Sequence, residues 1–254
     1  MQETIKTAWF RFYEELNDFL PSTKKKILFP CPFKGNPSVK DIVESLGVPH
    51  PEVDLILVNS NSVDFSYKRC DKDHVSVYPV FESLNITGVT YLRARPLRMI
   101  RFIADVHLGK LTKYLRLCGF DTYYDKNLDD REIIELSLSG KRIILTRDRN
   151  LLKNRNVTHG YWIRSSVPAE QMRELFVRFD LKDNMKPFTR CTECNSLLVK
   201  VNKEDIIDRL LPKTRQFYDT FKRCPGCGRI YWEGAHFDKM RQQITSFQSQ
   251  VQDQ

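Results

Sequence analysis

Arg142-Ile143-Ile144-Leu145-Thr146-Arg147-Asp148, RIILTRD, runs apolar for three residues and then stops on a hydroxyl, a guanidinium and a carboxylate. A strand covered on both faces reads as a continuous apolar run, so Ile143 to Leu145 predict the buried part of a parallel strand. Thr146 and Asp148, two residues apart, then share a face at its carboxyl end. Two further stretches stop the same way, FIAD at Asp105 and TYYD at Asp125. In an open parallel sheet the ligand crevice lies outside the carboxyl ends of the strands, which is where these acids fall.

Outward from this strand the pattern alternates. Met99 to Ala104 reads as a strand, and Leu108, Leu111, Leu115 and Cys118 recur at helical spacing before Gly119. Thr122 to Tyr124 predicts a short strand, Asp130 to Ser139 a helix, Tyr161 to Ile163 a fourth strand, and the stretch from Pro168 with Met172, Leu175, Phe176 and Phe179 another helix. Strands alternating with helices imply an α/β fold with a parallel sheet and crossover helices.

Converging carboxylates repel one another and need a cation to stay ionised together. Magnesium or manganese suits hard oxygen ligands, and a pair of such ions can activate water and stabilise the leaving oxygen in phosphodiester cleavage. Asp105, Asp130 and Asp148 are the candidate metal ligands and catalytic acids, with Asp129 and Asp125 as further candidates. Asp129 with Glu132 also fits a capping box, and Asp125 also fits a plain strand end. Thr146 fits either a donor to a metal-bound water or a cap for the next turn. Lys110, Lys113 and Arg116 form a row on the helix face away from its leucines, and Arg147 and Arg149 follow the third strand. Such cations beside an acidic site would hold a polyphosphate backbone; away from one they are solvated surface.

Cys191-Thr192-Glu193-Cys194 and Cys224-Pro225-Gly226-Cys227 are two C-x-x-C pairs with 29 residues between them. Two such pairs complete the closed tetrahedral thiolate site of structural zinc, whereas a redox motif needs only one. Asn195 and Gly228 directly follow the pairs, and both types tolerate the left-handed backbone a tight knuckle favours. Lys222, Arg223, Arg229, Tyr231 and Trp232 beside the second pair would grip single-stranded RNA by charge and stacking, or pack the module against the sheet. Cys31, Cys70 and Cys118 have no such partners.

RFIADVHLGKLTKYLRLCGFDTYYD, DDREIIELSLSGKRIILTRDRNLL, RCTECNSL and RCPGCGRIYWEGAHFDKM, in that order over roughly residues 98–240, resemble the PIN-like ribonuclease domain named after the C-terminus of the mutator-seven exonuclease. The resemblance implies a metal-dependent RNase, with Asp105, Asp148 and the Asp129/Asp130 pair on the family's acidic positions. It also implies a ubiquitin-like domain in front.

The N-terminal sequence supports that on its own. Thr7 to Tyr13 and Lys26 to Phe29 suggest a hairpin; Ser38-Val39-Lys40-Asp41 resembles a capping box before Val39, Ile42, Val43 and Leu46; Asp54 to Val58 and His74 to Val80 give two more strands. The order β-β-α-β-β is that of a β-grasp. ILVNSNSVDFSYK and DHVSVYPVF resemble ubiquitin-like sulfur carriers, but those end in Gly-Gly, whereas here the chain continues through Glu82-Ser83-Leu84-Asn85. A binding or scaffolding module for a protein partner is the expectation.

At 254 residues the chain has room for two or three such units, and the net charge of +9 is unevenly spread. Residues 1–85 carry 10 Lys plus Arg against 12 Asp plus Glu, residues 91–156 carry 15 against 8. The basic middle makes RNA the expected partner. No apolar run reaches a membrane span and no signal segment opens the sequence, so a cytoplasmic protein is expected. The plan is a ubiquitin-like β-grasp domain at 1–85, a linker at 86–97, a PIN-like α/β RNase domain at 98–182, a zinc ribbon at 183–240 and a disordered tail at 241–254. Hydrolysis of RNA is the leading function; the alternative is a catalytically silent RNA-binding adaptor.

Overall fold

The computed structural model describes residues 4–68, 70–79, 92, 100–234 and 237–249; the expected linker lies outside them except for Leu92. The chain folds as two compact units, Met1–Met99 with Asp148–Trp162, and Ile100–Arg147 with Ile163–Gln254.

The first unit is built on β1 (Lys6–Phe12), β2 (Phe29–Phe33), α1 (Val39–Ser45), β3 (Val53–Val58), β4 (Asn61–Val63) and β5 (His74–Pro79). Its sheet order is β2-β1-β5-β3-β4, with β1 and β5 parallel at the centre, a β-grasp. Phe10, Phe12, Val39, Val43, Ile56 and Val77 face inward and are buried. The Ser38 capping box is present: the Ser38 hydroxyl accepts from Asp41 N–H and the Asp41 carboxylate from Ser38 N–H. The second strand lies later than Lys26–Phe29. It is FPCPF, with Phe29, Cys31 and Phe33 buried and Pro30 and Pro32 exposed, which an edge strand tolerates because one of its sides has no ladder to serve.

The second unit begins with β6 (Arg101–Ala104), α2 (Gly109–Leu117), β7 (Asp121–Tyr123), α3 (Asp130–Gly140) and β8 (Ile143–Thr146). β7, β6 and β8 lie side by side in that order, all parallel, so the first crossover steps from β6 to β7, the second returns past β6 to β8, and the switch point falls between β6 and β8. The chain then enters the first unit with α4 (Arg149–Lys153) and β9 (Gly160–Trp162), and continues in the second with α5 (Pro168–Phe179). Phe102, Ile103, Leu111, Leu115, Ile144, Met172 and Phe176 form the buried interior.

Beyond α5 come β10 (Val199–Val201), α6 (Pro212–Phe217), β11 (Phe221–Arg223) and β12 (Ile230–Trp232); the three strands form an antiparallel sheet in the order β10-β11-β12. The tail expected to fray from residue 241 is helical as far as 249, in α7 (Phe237–Ser249). Its Gln-rich sequence hides an apolar stripe: Phe237, Ile244 and Phe247 are buried, and the Phe247 ring meets Tyr114 at 5.6 Å and Phe176 at 6.2 Å. Among the described residues no helix is long and apolar enough to cross a membrane.

Candidate active site and metal centre

Asp105 follows β6 directly and Thr146 ends β8, so pairing of Ala104 with Leu145 brings them together at the switch point. Asp105 N–H donates to Leu145 O at 2.9 Å, and Thr146 Oγ1 donates to Asp105 Oδ2 at 2.6 Å. Val106 N–H donates to Asp105 Oδ1 at 2.6 Å. Both side chains are buried, Asp105 6% exposed and Thr146 fully covered. One donor occupies each carboxylate oxygen, and an ionised carboxylate offers about four lone-pair sites, so acceptor capacity remains for a cation.

The other acids predicted from sequence hold local backbone positions. Asp129 caps α3, accepting from Glu132 N–H at 2.8 Å, and the Glu132 side chain accepts in return from Asp129 N–H at 2.9 Å. Asp130 is the exposed first residue of that helix. Asp125 is exposed and accepts from Asn127 N–H at 2.9 Å. Asp148 belongs to the first unit, where it caps α4 through Asn150 N–H at 2.7 Å.

The cations divide in two. Lys110 and Arg147 are exposed as expected. Arg116 is not a surface residue: it is 3% exposed, its Nε donating to Thr122 O at 2.9 Å and its Nη1 to Thr192 O and Glu193 O at 3.1 and 2.6 Å. Its long stem lets it pass under the helix to the first cysteine pair, which corrects the expectation that it contacts RNA. Lys113 pairs with Glu193 at 2.9 Å, and the Arg149 guanidinium lies 3.9 Å from the centre of the Trp162 ring.

The four cysteines converge. Cys191, Cys194, Cys224 and Cys227 present sulfur atoms that all lie within 4.8 Å of one another, and among the described residues they form the one such group of three or more ligating side chains. The two knuckles repeat each other: Asn195 and Gly228 take φ of 70° and 72°, their N–H groups donate to Cys191 O and Cys224 O, and Cys194 and Cys227 N–H groups face the Sγ of Cys191 and Cys224 at 3.4 Å. Sγ–Sγ separations of 3.6 Å (Cys191 to Cys227) and 3.2 Å (Cys194 to Cys224) are near the roughly 3.8 Å edge of a zinc–thiolate tetrahedron with about 2.3 Å bonds.

Without a cation, four crowded thiols cannot ionise together. Burial opposes ionisation of Cys194, but hydrogen bonds from Ser196 and the neighbouring thiols bring it down to about 6. For Cys227 the Arg229 backbone N–H favours the thiolate, while burial and the surrounding thiols push it up to about 12. Four soft sulfur donors in this arrangement can hold a zinc ion, and zinc with four thiolates carries two negative charges. Lys113, Arg116 and Arg229 gather on that side: Arg229 Nη1 reaches Glu193 at 3.4 Å, and Arg116 feels the charge of Cys191 and Cys194.

The first knuckle is tied to the sheet edge as well. Asn195 Oδ1 accepts from Thr122 N–H of β7 at 3.1 Å, and Asn195 Nδ2 donates to Asp121 Oδ1 at 2.8 Å. Asp121 also receives Arg142 Nη1 at 2.6 Å and lies 3.8 Å from Arg190 Nη2. Burial raises the Asp121 carboxyl, but these hydrogen bonds and guanidinium charges outweigh it and hold the group below its ordinary value. Tyr231 OH sits 3.1 Å from Cys191 Sγ and accepts from Thr192 N–H at 3.2 Å, so this ring packs at the cysteine centre. Trp232 is 38% exposed. Sequence reading missed Asp121, Glu193 and this role for Arg116, because none carries a local motif.

A parallel α/β unit with a buried acid at its switch point and a four-cysteine module built onto its edge defines the class of molecule. Residues 100–244, more than half of the chain, match the Mut7-C RNAse domain, and residues 5–85 match the Mut7-C ubiquitin domain. The chain belongs to the Mut7-C RNAse domain family, whose description points to a nuclease role. No curated protein and no solved structure matches it.

Proposed function

We propose that the protein is a metal-dependent, PIN-like ribonuclease that hydrolyses RNA phosphodiester bonds, with Asp105 as the central metal-binding carboxylate. The observation that carries this reading is the buried Asp105–Thr146 pair at the switch point of a chain matched to an RNase family. Asp130 and Asp148, then Asp129 and Asp125, are the further candidate ligands read from the sequence. Magnesium or manganese bound there would supply Lewis acidity and an activated water. Thr146 fixes the rotamer of Asp105, its hydroxyl donating to Oδ2. Lys110, Arg147 and Arg149 supply positive charge for the phosphate backbone. The four cysteines hold zinc as a structural ion, and its knuckle braces β7 through Thr122 and Asp121.

The test is cleavage of a labelled single-stranded RNA by the purified chain in manganese or magnesium, beside Asp105→Asn. Expected are metal-dependent cleavage by the wild type and a loss of about a hundredfold or more in the variant, with RNA binding retained. RNA binding without cleavage in either metal would instead establish the silent adaptor.

A further inference from the structure

The Asp105 carboxylate is held by two donors of different kinds. Thr146 Oγ1 reaches Oδ2 from β8, whereas Val106 N–H reaches Oδ1 from the very next residue of the chain. A hydrogen bond between neighbours fixes a side chain only if the neighbour is itself anchored. Val106 is partly buried and His107 is exposed, so side-chain packing does little to fix the start of the turn; Leu108 is its first buried residue.

The anchor comes from the adjacent strand. β7 runs parallel to β6 with Tyr123 opposite Ile103, so Tyr124 leaves β7 one step further on, at the carboxyl end where Asp105 follows β6. Its hydroxyl donates to Val106 O at 3.0 Å. Val106 is therefore gripped at both ends, its N–H by Asp105 and its carbonyl by Tyr124.

Gly109 shows how that approach is made possible. It opens α2 with φ −58° and ψ −36°, ordinary right-handed helix that any residue adopts, although glycine is a poor helix former. A Cβ at this position would lie 2.9 Å from Tyr124 Oη and 3.3 Å from Cζ, so the glycine makes room for the hydroxyl. A local choice that opposes helix propensity is expected where a site requires it.

We propose that Tyr124 is a positioning residue of the nuclease centre: its hydroxyl pins Val106, and the Val106 N–H sets the Asp105 carboxylate for its cation, with Gly109 leaving the space that admits the tyrosine. This role rests on the reading of Asp105 as a metal ligand. Tyr124 acts through Val106 and needs no contact with the cation or with RNA.

The test is manganese binding by the zinc-loaded full chain, read from the paramagnetic resonance of free manganese, beside amide exchange followed by NMR without manganese. Tyr124→Phe keeps the ring and removes the donor. Manganese affinity should fall about tenfold at unchanged zinc content, the lower end of the range for outer partners of metal ligands. The Val106 and Leu108 amides should exchange about tenfold faster, with amides of 143–146 unchanged. Gly109→Ala drives a Cβ against the hydroxyl and should imitate Tyr124→Phe, and the double variant should lose no more affinity than either single one, because all three break one contact. Losses that multiply to about a hundredfold in the double variant overturn the route through the hydroxyl. Val106 exchange unchanged in Tyr124→Phe overturns it as well. Asp105→Asn separates this role from the reading beneath it. Manganese binding weakened by Asp105→Asn but untouched by Tyr124→Phe overturns the role of Tyr124 alone; binding that Asp105→Asn leaves unchanged overturns Asp105 as a metal ligand and the role of Tyr124 with it.

Discussion

A buried carboxylate that accepts a hydroxyl proton at 2.6 Å is oriented more firmly than one facing water, and Asp105 is so placed by Thr146. Replacing Thr146 by Val keeps the shape and removes the donor. It should destabilise the protein by about 1.5–3 kcal/mol, the range for hydrogen bonds to charged groups, and lower cleavage further by freeing the Asp105 rotamer; chemical denaturation and a manganese-dependent assay check both. Asp121 gives a pH signature. Its folded pKa lies below its ordinary value near 3.8, so the stabilisation it provides is complete above that value and is lost as pH falls through the lower folded value. Acid unfolding of the wild type should therefore steepen below about pH 4, and Asp121→Asn should be less stable at neutral pH with that acid-dependent part missing. Of these residues the sequence made Asp105 and Thr146 legible, because both end apolar runs. Asp121 was invisible: it starts a strand, and its partners Arg142, Arg190 and Asn195 are distant in the chain.

At the scale of elements, α2 explains why a charged helix face misleads. Lys110, Lys113 and Arg116 share the spacing of a solvated row, but the third is bound to carbonyls of the cysteine knuckle and the second to Glu193. Periodicity reports which face is polar, and a polar face can meet another backbone as well as water. Outer partners of metal ligands typically alter metal affinity by tenfold to a hundredfold, so Arg116→Ala should weaken zinc binding at the four cysteines by that factor in a competition titration. Gly119, which ends α2, sits at φ +94°, and a Cβ there would come within 2.1 Å of Lys186 O. The strap 186–188, whose Lys186 and Phe188 N–H groups donate to Cys118 O and Leu117 O, leaves no room for it. Gly119→Ala should cost about 3 kcal/mol or more, by denaturant unfolding, since strain and a backbone clash combine. The capping boxes at Ser38 and Asp129 were readable from local spacing alone. The edge strand Phe29–Phe33 and helix Phe237–Ser249 were not, because tertiary position overrides a Pro-rich or Gln-rich composition.

For the whole molecule, the β-grasp order, the parallel unit and the four-cysteine centre were all legible, since each leaves a periodic or spaced pattern. The contacts that Phe19, His50 and Glu52 make with Val157 and Trp162 were not, because these three side chains carry no motif and lie more than a hundred residues upstream. The two kinds of metal would do different work, which chelation separates. A weak chelator that removes magnesium and manganese should stop cleavage and leave the melting temperature unchanged, whereas stripping zinc from the four thiolates should lower it by roughly 5 °C or more, at about 2–4 °C per kcal/mol. The most direct measurement is anomalous scattering from manganese-soaked crystals. A zinc peak is expected among Cys191, Cys194, Cys224 and Cys227, and a manganese peak roughly 2.1 Å from an Asp105 oxygen. A zinc peak with no manganese density at Asp105, under conditions that support manganese binding elsewhere, would contradict that expectation.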